Sequence, residues 1–294
     1  MSDPAKPLKD FKPQHDFFIG IDSDGCAFDS MEIKQKECFC PNFIKHFDMQ
    51  PVSKYARETW EFVNLYSKTR GVNRFKAVLA ALELLRRRPE VQARGVEIPE
   101  MKGLKSWVER ENKLGNPALE EELKRNPDPD LQRAYAWSLA VNAAVKDLVY
   151  NLPPFPGLKK SLLKIREQAD VIVVSQTPLE ALEREWQEHD IDQYVRLIAG
   201  QEMGKKSEHI GMAAKGSYPE EKILMIGDAP GDLKAAEDNG SLFYPINPGH
   251  EEDSWDRFYN EGVDRFFSGT YAGEYAESLL REFHSYLPEK PDWE

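Results

Sequence analysis

The chain has few cysteines, no long apolar run and no excess of basic charge, and each shortage closes off a class of protein. Its 3 cysteines, Cys26, Cys38 and Cys40, are an odd set with neither a disulfide framework's spacing nor paired zinc-ligand motifs. Reduced thiols are expected. No stretch supplies the roughly 20 apolar residues of a membrane span, and the opening Met-Ser-Asp-Pro-Ala-Lys-Pro lacks the apolar core of a secretory signal. These features lead to the expectation of a cytoplasmic protein. The formal net charge is -12, and an acidic surface repels nucleic-acid phosphates and anionic lipid, so neither nucleic acid nor membrane is an expected partner. A small anionic substrate stays open, because a metal ion and a few cationic side chains reverse the field inside one cleft. Internal repeats and low-complexity tracts are missing too.

What is present is ordinary globular material: 294 residues, 40% hydrophobic and 31% charged, enough for two packed units. Phe17 to Ile21 is a short apolar run ending in Asp-Ser-Asp-Gly, which reads as a buried strand entering a tight turn. From about Ser30 to about Leu152 there is no convincing strand. Helical patterns fill this stretch, broken near Gly71, Pro89, Pro99, Gly115 and Pro127. Between Asp130 and Tyr150 one helical stripe is expected through Leu131, Tyr135, Leu139, Asn142, Val145 and Val149, with Trp60, Trp107 and Trp137 filling the core of this region.

After Pro153 strands and helices alternate. Strands are expected at Val171 to Val174, Val195 to Ala199, Lys222 to Ile226 and Ser241 to Pro245, with helices at Leu179 to Glu188, Ser207 to Lys215 and Leu233 to Asn239. That order predicts an α/β fold: a Rossmann-like parallel sheet with helices on both faces and an inserted all-helical domain. Residues 1–29 and 153–294 form the expected core and 30–152 the insertion. The tail after Pro248, with Trp255, Phe258, Phe266 and Phe267, is expected to pack on the sheet domain.

The carboxyl ends of the expected strands carry the chemistry. Asp22 and Asp24 follow the first, Ser175 the second and Asp228 a later one, with Asp232 a helical turn further on. The Asp22 and Asp24 pair alone also fits a turn, while an EF-hand loop fails because Cys26 and Ala27 stand where an oxygen ligand and a glycine belong. Strand ends of a parallel sheet converge, so the acids would share one crevice. Carboxylates crowded in that way repel one another unless a hard cation sits among them, and magnesium is the expected one.

The run Asp22-Ser23-Asp24-Gly25-Cys26-Ala27-Phe28-Asp29-Ser30 resembles the first motif of the haloacid dehalogenase superfamily, Asp-x-Asp-Gly-Thr-x-x-Asp-Ser. Ser175 in Val-Val-Ser-Gln-Thr resembles its second motif, Lys205 or Lys206 its third, and Gly227-Asp228-Ala229-Pro230-Gly231-Asp232 its fourth, while Phe155-Pro156-Gly157 resembles the return from cap to core. The resemblance covers about Phe17 to Pro245, but the cap sequence itself matches no assigned pattern. Cys26 replaces the usual threonine, and the proline common after the third-motif lysine is missing.

The resemblance implies a magnesium-dependent phosphatase of the phosphoglycolate phosphatase or β-phosphoglucomutase kind, with a small phosphorylated metabolite as substrate. Asp22 would be the nucleophile that becomes an aspartyl-phosphate, and Asp24 the general acid and then base. Ser175 would donate to the phosphoryl group, with Gln176 a candidate substrate contact beside it. Lys206 is favoured over Lys205 to neutralise charge, because of its spacing to the apolar face at Ile210 and Ala213. Asp22, Asp24 through its carbonyl, Asp228 and Asp232 would hold or orient the metal. In the insertion, Arg70 and Arg74, near Lys68 and Asn73, are candidate substrate contacts, with attraction of basic residues to a helix C-terminus as the bland alternative for them and for Arg86-Arg87-Arg88. A phosphomutase and a non-catalytic phospholigand-binding protein stay open as alternatives, as does monomer against homodimer.

Overall fold

A computed structural model describes residues 3–294; Met1 and Ser2 lie outside the described residues. Five short strands form one parallel sheet: β1 (Phe17–Ile21), β2 (Ala169–Val174), β3 (Leu197–Ala199), β4 (Ile223–Gly227) and β5 (Leu242–Pro245), in the order β3-β2-β1-β4-β5. The α/β class expected from the alternating pattern is therefore the observed one. Each strand is apolar on both sides because successive side chains enter opposite cores. Ile19, Ile21, Val171, Val173, Leu224 and Ile226 meet Leu158, Leu162, Trp186 and Trp255 on one face. Phe18, Ile172, Val174 and Met225 meet Ile210, Ala213, Ala236 and Phe283 on the other.

The chain separates into two compact units. One holds residues up to Met31 together with Asn151–Leu287, and contains the sheet. The other holds Glu32–Tyr150 and is helical, with its longest helices at Ser53–Asn64, Arg74–Arg87 and Pro129–Leu148. Trp60, Trp107 and Trp137 are fully buried there, Trp60 and Trp137 with ring centres 5.9 Å apart. The buried stripe of Pro129–Leu148 differs from the expected one. It runs through Leu131, Ala134, Trp137, Ser138 and Val141, whereas Leu139 is 46% exposed. The buried face thus carries Ala134 and Ser138 beside Trp137, small residues that give little hydrophobic signal in a sequence pattern.

The last residues also depart from expectation. Trp255, Phe258 and Phe266 pack in the sheet core as expected, but Pro288–Glu294 belong to the helical unit. There Trp293 lies over the guanidinium of Arg88 at 4.2 Å, with Tyr55 over the same guanidinium at 4.6 Å, and meets Phe62 edge-on at 5.7 Å. Arg88 is accordingly no solvated charge: it is 5% exposed and ion-paired to Glu58 and Glu90. A desolvated cation between two rings and one aromatic pair contribute about 2 kcal/mol together. Trp293→Ala is expected to cost about that much. Amide hydrogen exchange should speed up in residues 53–94 while the five strands keep their protection.

Candidate active site

Three of the strands end one residue short of a polar side chain: Ile21 before Asp22, Val174 before Ser175 and Gly227 before Asp228. Register brings these ends level, since Ile21 pairs with both Val173 and Ile226, and the Asp22 N–H donates to the Ile226 carbonyl at 3.0 Å. The sheet order reverses direction at β1 and β4, where a parallel sheet opens a crevice beyond its carboxyl ends.

Asp22, Asp228 and Asp232 each place a carboxylate oxygen there, all within 4.8 Å of one another, and all three residues are buried. Lys206, the first residue of the helix Lys206–Ala213, reaches in with its Nζ 2.8 Å from Asp22 Oδ2 and 2.6 Å from Asp232 Oδ1. Burial pushes the Asp22 carboxyl well above the usual range; Lys206 pulls against that, and Asp232 and Asp228 add to it. Burial alone would lower Lys206, but Asp22 and Asp232 outweigh it and keep the ammonium charged. Lys205 sits just outside the helix, where its backbone N–H donates to Glu208 Oε2 at 2.7 Å. Of the two lysines, the geometry brings Lys206 to the acids.

Asp232 owes its place to a tight turn. Its Oδ2 accepts from the Asp228 and Ala229 N–H groups at 3.2 and 3.0 Å, at the N-terminus of the helix Pro230–Glu237. A side chain at Gly227 would come within 2.4 Å of Asp232 Cβ, so the last residue of β4 has to be glycine for that carboxylate to fold back.

The loop after β1 is as tightly wound. The Ser23 carbonyl accepts from the N–H groups of Cys26, Ala27 and Phe28, and Gly25 takes φ 77°. Trp255 Nε1 donates to the Cys26 carbonyl at 2.7 Å, and Trp186 Nε1 to Ser23 Oγ at 3.0 Å. Cys26 thus fills a buried position, with its Sγ 3.7 Å from the Ile226 carbonyl. Two hydroxyls hold the Asp24 carboxylate: Oδ1 accepts from Ser30 and Oδ2 from Thr177 at 2.7 Å. Ser30 lay within the motif but carried no expected role, and Thr177 was not singled out, because only the fold brings position 177 to position 24.

Ser175 is buried, and its Oγ accepts from the Thr177 N–H at 3.2 Å. Gln176 Nε2 is tied to the Gly204 carbonyl at 2.9 Å. In the helical unit Arg70 is buried and donates to the Leu65 carbonyl at 2.9 Å. Arg74 opens its helix instead of closing it, so attraction to a C-terminus does not account for it. Its guanidinium lies over Phe39 and donates to Ser138 Oγ and Asn142 Oδ1 at 3.0 and 2.7 Å, and burial lowers it to about 10.

Metal-binding chemistry is tested by the donor set itself. Three hard oxygen donors meet in a buried site with one ammonium beside them, the donor chemistry that a hard divalent cation favours. The residues present fit such an ion. No helix among the described residues is long and apolar enough to cross a membrane.

No protein-family model matches the chain, and no curated protein matches it in sequence. Solved structures do. A haloacid dehalogenase-like hydrolase from Streptococcus pneumoniae is similar at 14% identity and a TM-score of 0.45, over 81% of this chain and 90% of its own. A provisionally named beta-phosphoglucomutase from Bacteroides vulgatus is similar at 16% identity and 0.47, over 88% and 93%. A provisionally named phosphoglycolate phosphatase from Lactobacillus delbrueckii subsp. bulgaricus is similar at 14% identity and 0.46, over 92% and 99%. At such distances what this chain does has to be read from the side chains of its site.

Proposed function

We propose that the protein is a magnesium-dependent phosphatase that hydrolyses a small phosphomonoester, with Asp22 as the attacking group. The observation that carries this reading is the buried cluster of Asp22, Asp228 and Asp232 held around Lys206 at the carboxyl edge of the sheet. A carboxylate wrapped in like charge is a poor resident of a protein interior unless its charge is used, and displacement at phosphorus uses it. Lys206 orients Asp22 through its ion pair and offsets charge on an incoming phosphate. Ser175, at the end of the neighbouring strand, is the proposed hydrogen-bond donor to the phosphoryl oxygens. Asp24, whose carboxylate is oriented by the Ser30 and Thr177 hydroxyls, is the proposed carrier of a proton to the leaving oxygen.

Asp22, Asp228 and Asp232, with the Asp24 carbonyl as the fourth proposed ligand, would hold magnesium. When bound, the ion lowers repulsion between the nucleophile and a phosphate dianion. In the helical unit Arg74 is a proposed anion-binding group. It is a cation at the positive end of a helix, and its recorded partners, Ser138 and Asn142, are neutral.

The test is phosphate release from p-nitrophenyl phosphate with magnesium, expected to stop on chelation. A second readout needs no turnover: a hundredfold excess of magnesium over its Kd should stabilise the fold by about 2.7 kcal/mol in thermal unfolding. Asp228→Asn should remove most of that gain. Magnesium without effect on either turnover or unfolding would sink the proposal.

A further inference from the structure

Three hydrogen bonds hold the segment after β2. The Ser175 N–H donates to the Ala199 carbonyl at 3.0 Å, the Thr177 N–H to Ser175 Oγ at 3.2 Å, and the Gln201 N–H to the Thr177 carbonyl at 3.1 Å. Pro178 follows directly and restricts the backbone of Thr177 to extended conformations before the helix Leu179–Glu188 begins. A β-branched side chain on so constrained a backbone has one or two rotamers to choose from. The one adopted aims Oγ1 at Asp24 Oδ2, 2.7 Å away, while Ser30, six residues after Asp24, holds the other oxygen.

We infer that Thr177 is a positioning residue for acid–base chemistry at Asp24: its hydroxyl fixes the carboxyl orientation and receives the change of charge when the proton leaves. The inference rests on the phosphatase reading. In the first step an Asp22 oxygen forms a bond to phosphorus as the bond from phosphorus to the leaving oxygen breaks. The electron pair goes to that oxygen, and the Asp24 proton follows it. In the second, water attacks phosphorus, its proton passes to Asp24, and the bond from Asp22 to phosphorus breaks with the pair returning to Asp22. Asp24 therefore alternates between acid and carboxylate. A hydroxyl can both donate and accept, so Thr177 can face either form by rotating one O–H, which a fixed donor such as a backbone N–H cannot do.

The role predicts dependence on the leaving group. An alkoxide needs the proton as it departs, whereas p-nitrophenolate leaves without it, so in kcat/KM, which covers the steps up to departure of the leaving group, only alkyl esters should feel a misplaced Asp24. Thr177→Val keeps the shape and deletes the hydroxyl. With magnesium present, its kcat/KM for glycerol 3-phosphate is expected to fall about 10- to 100-fold, the size of one lost hydrogen bond to a charged group, while that for p-nitrophenyl phosphate changes by less than about 3-fold. Thr177→Ser should restore the alkyl ester. Equal losses on both esters, or no rescue by serine, would make Thr177 structural and overturn the inference while leaving the phosphatase reading intact. Absence of phosphate release from both esters by the unmodified chain would overturn that reading, and this inference with it.

Discussion

Asp22→Asn is expected to remove phosphate release by about three orders of magnitude or more while leaving the fold in place. Asparagine is nearly isosteric and can still accept the Ser23 N–H that Asp22 Oδ1 now accepts at 2.8 Å, so the wound loop keeps its anchor. What it cannot do is attack phosphorus. The stability consequence has the opposite sign to the catalytic one. Burial and two neighbouring acids oppose the charge on Asp22, so a neutral side chain there relieves repulsion in the metal-free protein. Lys206 keeps Asp232 as its partner at 2.6 Å. Thermal unfolding in chelator should thus occur at an equal or higher temperature in Asp22→Asn than in the unmodified chain, while p-nitrophenyl phosphate turnover disappears. Loss of activity together with a lower unfolding temperature would instead describe a structural aspartate, and the nucleophile would have to be sought elsewhere.

That the acids could be named at all from one sequence follows from where they sit. β1 and β4 are continuous apolar runs stopped abruptly by Asp22 and by Gly227-Asp228, and a parallel sheet puts such stops on one edge. The helix Leu179–Glu188 was readable end to end because its apolar stripe begins directly after Pro178. Relations between side chains far apart were not readable. The choice between Lys205 and Lys206 could only be leaned on by spacing, because adjacent lysines differ in direction and not in chemistry. Thr177 gave no signal, since a threonine before a proline is ordinary loop material until Asp24 is seen 2.7 Å away. Trp293 was hidden in a charged tail, and its partner Arg88 in a basic triplet that reads as solvated surface.

The two ends of the sheet show why charge placement divides so cleanly. At the carboxyl end three buried carboxylates gather beside Lys206, a donor set of the kind that suits an added cation. At the amino end a single buried carboxylate, Asp170, is surrounded by donors and has no charge to spare.

Asp170→Ala is accordingly expected to cost about 3–5 kcal/mol, the penalty for breaking a buried charge pair from one side. Asp170 is fully buried inside β2, one residue before the apolar run by which that strand was recognised. It accepts from the Gln14 and His15 N–H groups at 2.8 and 3.0 Å, from the Tyr218 hydroxyl at 2.6 Å and from Arg196 Nη1 at 2.6 Å, with His15 Nδ1 at 3.1 Å. One carboxylate thus ties the leader before β1, the edge strand β3 and the turn before β4 to the base of β2. Burial works to raise its proton affinity, but the donors, Tyr218 first among them, outweigh this and lower it to about 2. Because the folded value lies below the ordinary 3.8, this contribution is complete above about pH 4 and is lost as the pH falls towards 2. Urea unfolding at pH 7 and at pH 3 should therefore show a wide gap between the unmodified chain and Asp170→Ala at the higher pH and a narrower one at the lower. A gap that stayed constant would mean that Asp170 contributes through packing, not through its charge.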